Sequence, residues 1–320
     1  MNENLTEATL IEHIYKRREF GHTDKYTFLD LIMDWLALKD SDAPFSEMQV
    51  YREFGLRNTP EDNANRQYIS EALSLMVMGG QLKRIENRFG WFRWVKNELE
   101  PIDYINASEE ECDIWLPFGI IDRVKIYPGL ILLAGAPNSG KTALCLNIAR
   151  ENMRKDWDVH YFNSEMSPTE FRVRLEKFPG SLESWNIKAY DRAGNFEDVV
   201  KGGANDLNII DYLPIWDEFY AVGGTLDRIA KATKDGVTIC CIQKNPHQDT
   251  GLGGYRTLEI CRLALAIDYG KAKIIKAKAV RDPEKNPYMA YKKFTIYDGH
   301  NLTWEPTTDH WLRDTKKGAT

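Results

Sequence analysis

The chain lacks the features that mark several classes of protein. Its 320 residues include five cysteines but no C-x-x-C pair, and the six histidines are scattered without metal-ligand spacing, so a structural zinc site is not expected. Most of the cysteines lie in apolar runs, where a free thiol behaves as a small hydrophobe. No apolar run reaches the roughly 18 residues of a membrane span, and the charged N-terminus has no signal-peptide core. We therefore expect a cytoplasmic protein without membrane insertion.

Net positive charge is also lacking. The formal net charge is −6 and the isoelectric point is near 5.7. This net charge argues against a protein whose whole surface is basic and binds nucleic acid. A local basic channel inside a ring would not be visible in the net charge. We find no internal repeat. The length predicts about two domains, because a domain has roughly 100 to 200 residues.

A glycine-rich stretch, Gly135 to Thr142 (GAPNSGKT), fits the phosphate-binding pattern G-x-x-x-x-G-K-[ST]. An apolar run at Leu130 to Ala134 predicts a buried strand before it, and apolar residues at helical spacing follow it. Gly135 and Gly140 allow the backbone to turn and to approach phosphates. The N-terminus of the helix near Lys141 attracts anions. The alternative is an ordinary glycine-rich turn with a solvated lysine.

The motif predicts ATP and Mg²⁺ as cofactors. Lys141 is expected to contact the β- and γ-phosphates, and the Thr142 hydroxyl is expected to ligate Mg²⁺. The residues predicted to hold the nucleotide are Gly135, Ala136, Pro137, Asn138, Ser139, Gly140, Lys141 and Thr142.

An acidic segment poor in periodic hydrophobics divides the chain and is interpreted as a linker. The predicted organisation is a polar arm at 1–24, a small domain at 25–96, the linker at 97–114, an α/β domain at 115–306 and a polar tail at 307–320. The arm is expected to be mobile or to reach a neighbouring subunit.

The small domain shows three predicted helices and a hairpin, an order that resembles a winged helix. Ser46 and Gln49 form a capping box before the second helix, and Gly79 with Gly80 ends the third. Winged helices bind nucleic acid or dock proteins, so duplex DNA and a protein partner both stay open, and Trp91 and Trp94 can simply be core. The candidate nucleic-acid contacts are Arg66, Gln67, Ser70, Arg84, Arg88 and Arg93.

In the larger domain, short apolar runs alternate with helical segments, which predicts a parallel sheet with helices on both faces. The candidate strands are Leu130 to Ala134, Val159 to Phe162, Leu207 to Ile210, Val237 to Ile242 and Lys273 to Val280. Ligands of such sheets bind at the carboxyl ends of the strands. Asp211 follows one strand there, which is typical of a Walker B carboxylate that holds Mg²⁺. An aspartate that caps a loop is the alternative.

The candidate general base is Glu165. AAA+ ATPases generally carry a glutamate directly after the Walker B aspartate, whereas this chain has Tyr212 there. Glu165 follows another predicted strand, from which its carboxylate can polarise the attacking water. Nearby Glu170 has a structural role, because Ser167 and Glu170 match a capping box.

Three stretches resemble the ATPase domain of DnaB-type replicative helicases and their RecA-like relatives over about residues 115 to 300. They are the phosphate loop with its helix, Tyr161 to Leu175 and Ile209 to Leu213. The resemblance implies that Glu165 activates water and that Gln243 senses the γ-phosphate. It also implies that Arg281 enters the ATP site of an adjacent subunit, where a cation neutralises developing charge, with Lys278 assisting. The alternatives are that Gln243 is only a polar residue that ends a strand, and that Arg281 and Lys278 are only solvated basic residues.

The chain also departs from this family. Its N-terminal part does not resemble the helical domain of DnaB helicases, and the segment 244–255, at the place of a DNA-binding loop, has little positive charge beyond Lys244 and His247. We expect a homohexameric ring that acts as a helicase or translocase on single-stranded DNA in replication. A recombination ATPase of the same superfamily is one alternative. An ATP-switched DNA-binding loader or regulator without unwinding activity is the other.

Overall fold

Two compact units make up the chain, residues 1–107 and residues 108–320. A computed structural model describes residues 25–38, 43–95, 101–102, 104–106, 108–215, 222–246, 248–304 and 311–313. The predicted arm and most of the predicted tail lie outside the described residues.

The described residues of the smaller unit contain three helices and a three-stranded antiparallel sheet with the order β1-β3-β2. The helices are α1 (Lys25–Leu38), α2 (Glu47–Glu53) and α3 (Asn63–Met78), and the strands are β1 (Phe45–Ser46), β2 (Leu82–Arg84) and β3 (Trp91–Trp94). The predicted capping box opens α2, since Ser46 and Gln49 each accept from the other's backbone N–H. Buried side chains from all three helices and from β3 form one core. The assignment as a winged helix stays a prediction.

The described residues of the larger unit form a ten-stranded sheet flanked by helices. Its strands are β4 (Gly129–Gly135), β5 (Asp158–Asn163), β6 (Ile187–Asp191), β7 (Asp206–Asp211), β8 (Val237–Gln243), β9 (Leu263–Asp268), β10 (Lys271–Ala277), β11 (Ala290–Tyr297), β12 (Asn301–Trp304) and β13 (Leu312–Arg313). Its α-helices are α4 (Lys141–Asn152), α5 (Pro168–Glu176) and α6 (Val222–Thr233). The mainly parallel sheet predicted from the sequence is confirmed.

The strand order is β12-β11-β10-β9-β4-β8-β7-β5-β6, with β13 paired to β11. Strands β9, β4, β8, β7, β5 and β6 run parallel, and β10 to β13 extend the sheet with antiparallel pairs. The strand predicted at 273–280 is therefore present as β10, but it is antiparallel to β9. Among the described helices, none is long and apolar enough to cross a bilayer.

Alternate residues of the central strands pack on opposite faces of the sheet. Ile131 and Leu133 of β4 join a core that includes α4, and Leu130 and Leu132 join a second core with α6. Both faces of the parallel strands are thus covered, which explains their nearly continuous apolar sequences. Because the sheet is rigid and buried, the carboxyl ends of its strands hold their neighbouring loops in fixed positions.

Candidate active site

The phosphate loop connects β4 to α4 with a backbone that needs glycine. Gly140 has a φ of +93°, and a Cβ on it would lie 2.4 Å from Ile296 Cδ1. Lys141 Nζ donates to the carbonyls of Gly135 and Ala136, at 3.3 and 3.0 Å. The first N–H groups of α4 have no intrahelical acceptor, as in any helix, so they face the space above the loop. This arrangement places the N–H donors of α4 and the Lys141 cation around the space above the loop.

A second observation also indicates that the loop fits a phosphate group. Ser139 is 4% exposed, and its Oγ has no hydrogen-bond partner among the described residues. A buried hydroxyl without a partner is costly, and an anion within the loop would accept its proton. The donor set, namely Ser139, Lys141 and the N-terminus of α4, therefore suits a nucleotide phosphate.

Asp211 lies at the end of β7, where it is almost fully buried. Tyr161 Oη donates to its Oδ2 at 2.7 Å, and the Thr142 side chain lies close enough to lower the pKa of the carboxyl. Burial raises the pKa of the Asp211 carboxyl above its ordinary value, while the bond from Tyr161, the Thr142 side chain and the charge of Lys141 act in the opposite direction. A divalent cation held by Asp211 and Thr142 would favour the charged carboxylate. These two oxygen ligands fit Mg²⁺.

Glu165 sits in the turn between β5 and α5, and two side chains shape that turn. Asn163 Oδ1 accepts from the N–H groups of Glu165 and Met166, at 3.4 and 3.0 Å. Ser164 Oγ donates to the carbonyl of Tyr212 at 2.7 Å and accepts from its N–H at 3.0 Å. The turn of Glu165 is thereby tied to the end of β7, one residue after Asp211. The Glu165 side chain remains exposed.

We expect Asn163→Ala to lower the rate of ATP hydrolysis by about tenfold to a hundredfold, because a small displacement of a catalytic group is costly. The matched control is Asn208→Ala. Asn208 is also buried and bonds the Lys201 backbone, but it lies away from the strand ends that carry the site. Steady-state turnover per folded molecule, corrected by the fraction folded from circular dichroism, should fall only in the first variant. Equal losses in both variants would show that Asn163 acts through stability.

One cavity of about 580 Å³ brings the predicted residues together. Its lining includes Lys141 and Thr142 from α4, Glu165 from the β5 turn, Asp211 from β7 and Gln243 from β8. These residues come from four separate stretches of sequence. The cavity meets the size expected of a small-molecule site.

Gln243 enters the site because β8 lies between β4 and β7 in the sheet. It is registered opposite Gly135, the first residue of the phosphate loop. Its carbonyl accepts from the N–H of Leu252 at 2.8 Å, so the backbone of Gln243 also holds the following loop. A side chain here can contact both nucleotide and loop.

The sequence interpretation missed the contribution of the antiparallel strands. Thr295 and Ile296 of β11 line the cavity, as does the exposed Tyr269 after β9. No motif marks these residues, because they reach the site only through strand pairing far from the phosphate loop in sequence. The same pairing places Ile296 against Gly140.

Arg281 and Lys278 are not among the described residues that line this cavity. The Arg281 guanidinium instead pairs with Glu111, at 3.1 and 2.5 Å, and donates through Nε to the carbonyl of Ile121. Both basic side chains are exposed. In this arrangement neither side chain reaches the cavity.

Lys244, which supplied part of the sparse positive charge expected in the loop 244–255, is buried. Its Nζ pairs with Asp268 at 2.5 Å and donates to the carbonyl of Gln248 at 2.8 Å. Its charge therefore stabilises the base of the loop and does not face solvent. His247 lies outside the described residues.

One family model matches the part of the chain that carries most of these residues. Residues 127–215, which carry the phosphate loop, Glu165 and Asp211, match the family model described as the DnaB-like helicase C-terminal domain. A solved structure of a KaiC-like protein, PH0186 from Pyrococcus horikoshii OT3, aligns with 62% of this chain and 98% of its own, at 16% identity and a TM-score of 0.47. Comparison with curated protein sequences gives no significant match. The larger unit therefore contains a segment similar to the C-terminal domain of DnaB-like helicases.

Proposed function

We propose that the protein is a DNA-dependent ring ATPase that acts as a replicative helicase or translocase. The observation that carries this proposal is the 580 Å³ cavity, in which Lys141, Thr142, Asp211, Glu165 and Gln243 converge. Each has a distinct role: Lys141 holds the phosphates, Thr142 and Asp211 hold Mg²⁺, Glu165 activates water and Gln243 senses the γ-phosphate. A nucleotide switch can dispense with efficient water activation, so this combination favours a motor.

A homohexamer is the proposed assembly, with ATP at the subunit interfaces. The position of Arg281 supports a site shared between subunits, since its guanidinium is exposed and away from its own nucleotide cavity. A cation that neutralises transition-state charge must approach the γ-phosphate, so Arg281 and Lys278 would have to act on a neighbour's nucleotide.

DNA contact is proposed for two places. The first is the loop after Gln243, whose Leu252 bonds the Gln243 carbonyl. The second is the hairpin of the smaller unit, where Phe89 is 99% exposed and Arg88 lies over the Trp91 ring at 5.2 Å. Exposed aromatic and arginine side chains together suit stacking on bases and contact with phosphates. A protein partner is the alternative occupant of this hairpin, and a cytoplasmic location is part of the proposal.

The test is ATP hydrolysis by the full chain with and without single-stranded DNA, beside a strand-displacement assay. We expect DNA to stimulate hydrolysis and ATP to drive displacement of the strand. Stimulation without displacement would favour a recombination ATPase, and ATP-dependent assembly without turnover would favour a loader or regulator.

The variant Lys141→Ala should abolish nucleotide binding and hydrolysis. It deletes the charge that faces the phosphates and leaves a residue that suits the start of a helix, so the fold should persist. Binding of a fluorescent ATP analogue and phosphate release are the measurements. Lys155→Ala is a matched control, because Lys155 lies beyond the same helix and pairs with Asp113. Turnover by Lys141→Ala at the wild-type rate would contradict the assignment of the phosphate site.

A further inference from the structure

A buried tyrosine lies behind the candidate metal ligand Asp211. Tyr161 of β5 is fully buried, and its backbone is registered opposite Ile209 of β7. Ile209 and Asp211 point to the same face of the sheet, because side chains two positions apart in a strand share a face. Tyr161 Oη donates to Asp211 Oδ2 at 2.7 Å, so the phenol reaches two residues further along the strand. That step is about 7 Å, which is too far for a serine or threonine hydroxyl at the same position.

Packing alone does not explain the hydroxyl of Tyr161. The ring belongs to the apolar core that includes α4, and its centroid lies 5.2 Å from that of the Phe171 ring of α5. Phenylalanine would fill the same space without the cost of burying a hydroxyl. Within the part of the chain that the structure describes, this hydroxyl bonds Asp211 alone. Its role is therefore sought in what it does to the Asp211 carboxylate.

Two cysteine thiols also lie beside this carboxylate. The Sγ atoms of Cys145 in α4 and Cys241 in β8 are 3.1 Å apart and within 4.8 Å of an Asp211 carboxylate oxygen. A thiol is only a weak hydrogen-bond donor, so neither cysteine can replace the phenol. Tyr161 thus supplies the strongest donor on the buried side of Asp211.

The other side of Asp211 faces the nucleotide. Asp211 and Thr142 line the nucleotide cavity, whereas Tyr161 is not among the described residues that line it. Tyr161 can therefore act on a bound cation only through Asp211. The terminal torsion of an aspartate is broadly distributed, so a bond to one carboxylate oxygen fixes the direction of the other. Groups that orient a metal ligand in this way contribute about tenfold to a hundredfold to metal affinity or activity.

We infer that Tyr161 is a positioning residue for the divalent cation of the nucleotide site. It holds Oδ2 of Asp211 from within the core, so that the carboxylate meets the cation beside Thr142 without reorienting. This inference deepens the proposed function and rests on the metal-binding role proposed there for Asp211. Only the pairing of β5 with β7 brings the hydroxyl to Asp211, which lies 50 positions later in the chain.

The test is Tyr161→Phe in the full chain, with Tyr51→Phe as the matched control. Tyr51 Oη also donates to a carboxylate, Glu47 Oε1 at 2.5 Å, but it belongs to the smaller unit. The probe is Mn²⁺, whose binding in the presence of ADP is measured by electron paramagnetic resonance, so this readout needs no turnover. We expect Tyr161→Phe to weaken the Mn²⁺ affinity by about tenfold to a hundredfold. Binding of a fluorescent ATP analogue without divalent cations should be unchanged, and turnover should fall at low Mg²⁺ and largely recover at saturating Mg²⁺.

Two further variants separate the hydrogen bond from packing. Phe171→Leu disturbs the ring contact and leaves the hydroxyl of Tyr161 in place, so it should keep the wild-type Mn²⁺ affinity. Adding Tyr161→Phe to Asp211→Asn should weaken Mn²⁺ binding no further than Asp211→Asn alone, because two residues that act through one contact are not additive.

Two results would overturn the inference. One is an Mn²⁺ affinity of Tyr161→Phe equal to that of the Tyr51→Phe control, and the other is an equal loss of affinity in Phe171→Leu. Either result leaves the proposed function intact, because stimulation of hydrolysis by single-stranded DNA is measured separately on the wild type. Conversely, a wild type that binds Mn²⁺ more tightly than Tyr161→Phe but is not stimulated by DNA would support the inference and contradict the proposed motor.

Discussion

Arg281→Ala should bind ATP with little loss and hydrolyse it roughly a thousandfold more slowly than the wild type, the scale of an arginine finger in phosphoryl transfer. The finger acts mainly on charge that develops in the transition state, so its removal affects turnover much more than binding. Equilibrium binding of a fluorescent ATP analogue and steady-state phosphate release separate the two. Lys285→Ala is the control, because Lys285 is a nearby exposed lysine paired with Asp282.

Mixing of two variants tests whether Arg281 acts between the subunits of the proposed ring. Subunits with Glu165→Gln retain Arg281, and subunits with Arg281→Ala retain Glu165. A ring of both therefore contains some interfaces at which the two residues are wild type, and activity should partly return on mixing. If Arg281 acted within its own subunit, every subunit would be defective, and stably assembled, exchanging subunits would recover nothing.

A loss of turnover in Arg281→Ala would also follow if the ion pair of Arg281 with Glu111 had only a structural role. This structural cause must be separated from a catalytic one. If Arg281 only anchors Glu111, then Glu111→Gln should impair turnover as much as Arg281→Ala does. If Arg281 is a finger, Glu111→Gln should remain active, because it leaves the guanidinium in place and removes a competing carboxylate. Comparable losses in both variants would count against the interfacial site.

Glu165→Gln should bind Mg-ATP normally and hydrolyse it at least about a hundredfold more slowly, since a positioned general base contributes on that scale. The substitution keeps the shape of the side chain and removes the proton acceptor. Single-turnover hydrolysis measures the chemical step, and Mg²⁺-dependent nucleotide binding checks that the proposed metal ligands, Asp211 and Thr142, are unaffected.

The control for this variant is Glu176→Gln on the adjacent helix. Glu176 is an exposed glutamate that pairs with Arg172 at 2.8 Å, so the change removes the same charge away from the nucleotide cavity. It should leave turnover within a few-fold of the wild type. Near-normal hydrolysis by Glu165→Gln would instead move the role of the base to another residue.

Several elements follow from sequence alone because their interactions are local. The phosphate loop is one such element, as its glycines and lysine act within eight successive positions. The capping box of α5 is another, since Ser167 and Glu170 bond each other's backbone three residues apart. The buried strands before Glu165 and Asp211 also show as apolar runs. Contacts between residues close in sequence, and burial on both faces of a sheet, are directly visible in the order of the residues.

Other features depended on which strands become neighbours. The sequence showed no sign that β6 would form, because its residues are mostly exposed, nor that β10 would run antiparallel to β9. Strand order placed Gln243 beside the phosphate loop and brought Ile296 against Gly140. Such pairings join residues that are distant in the chain, and the hydrophobic periodicity of the sequence does not reveal them.

The sequence by itself predicted the residues of the candidate nucleotide site, through a loop motif and two carboxylates that each follow an apolar run. Only the tertiary structure decided which charged side chains are paired or buried and which are not. It buried Lys244 against Asp268, paired Arg281 with Glu111 across 170 positions, and left Arg262 and Lys278 side by side. Each of the six residues is an ordinary charged residue in the sequence. Whether a charge is neutralised or exposed depends on the partner that folding brings within a few ångströms, since electrostatic energy depends on distance and burial.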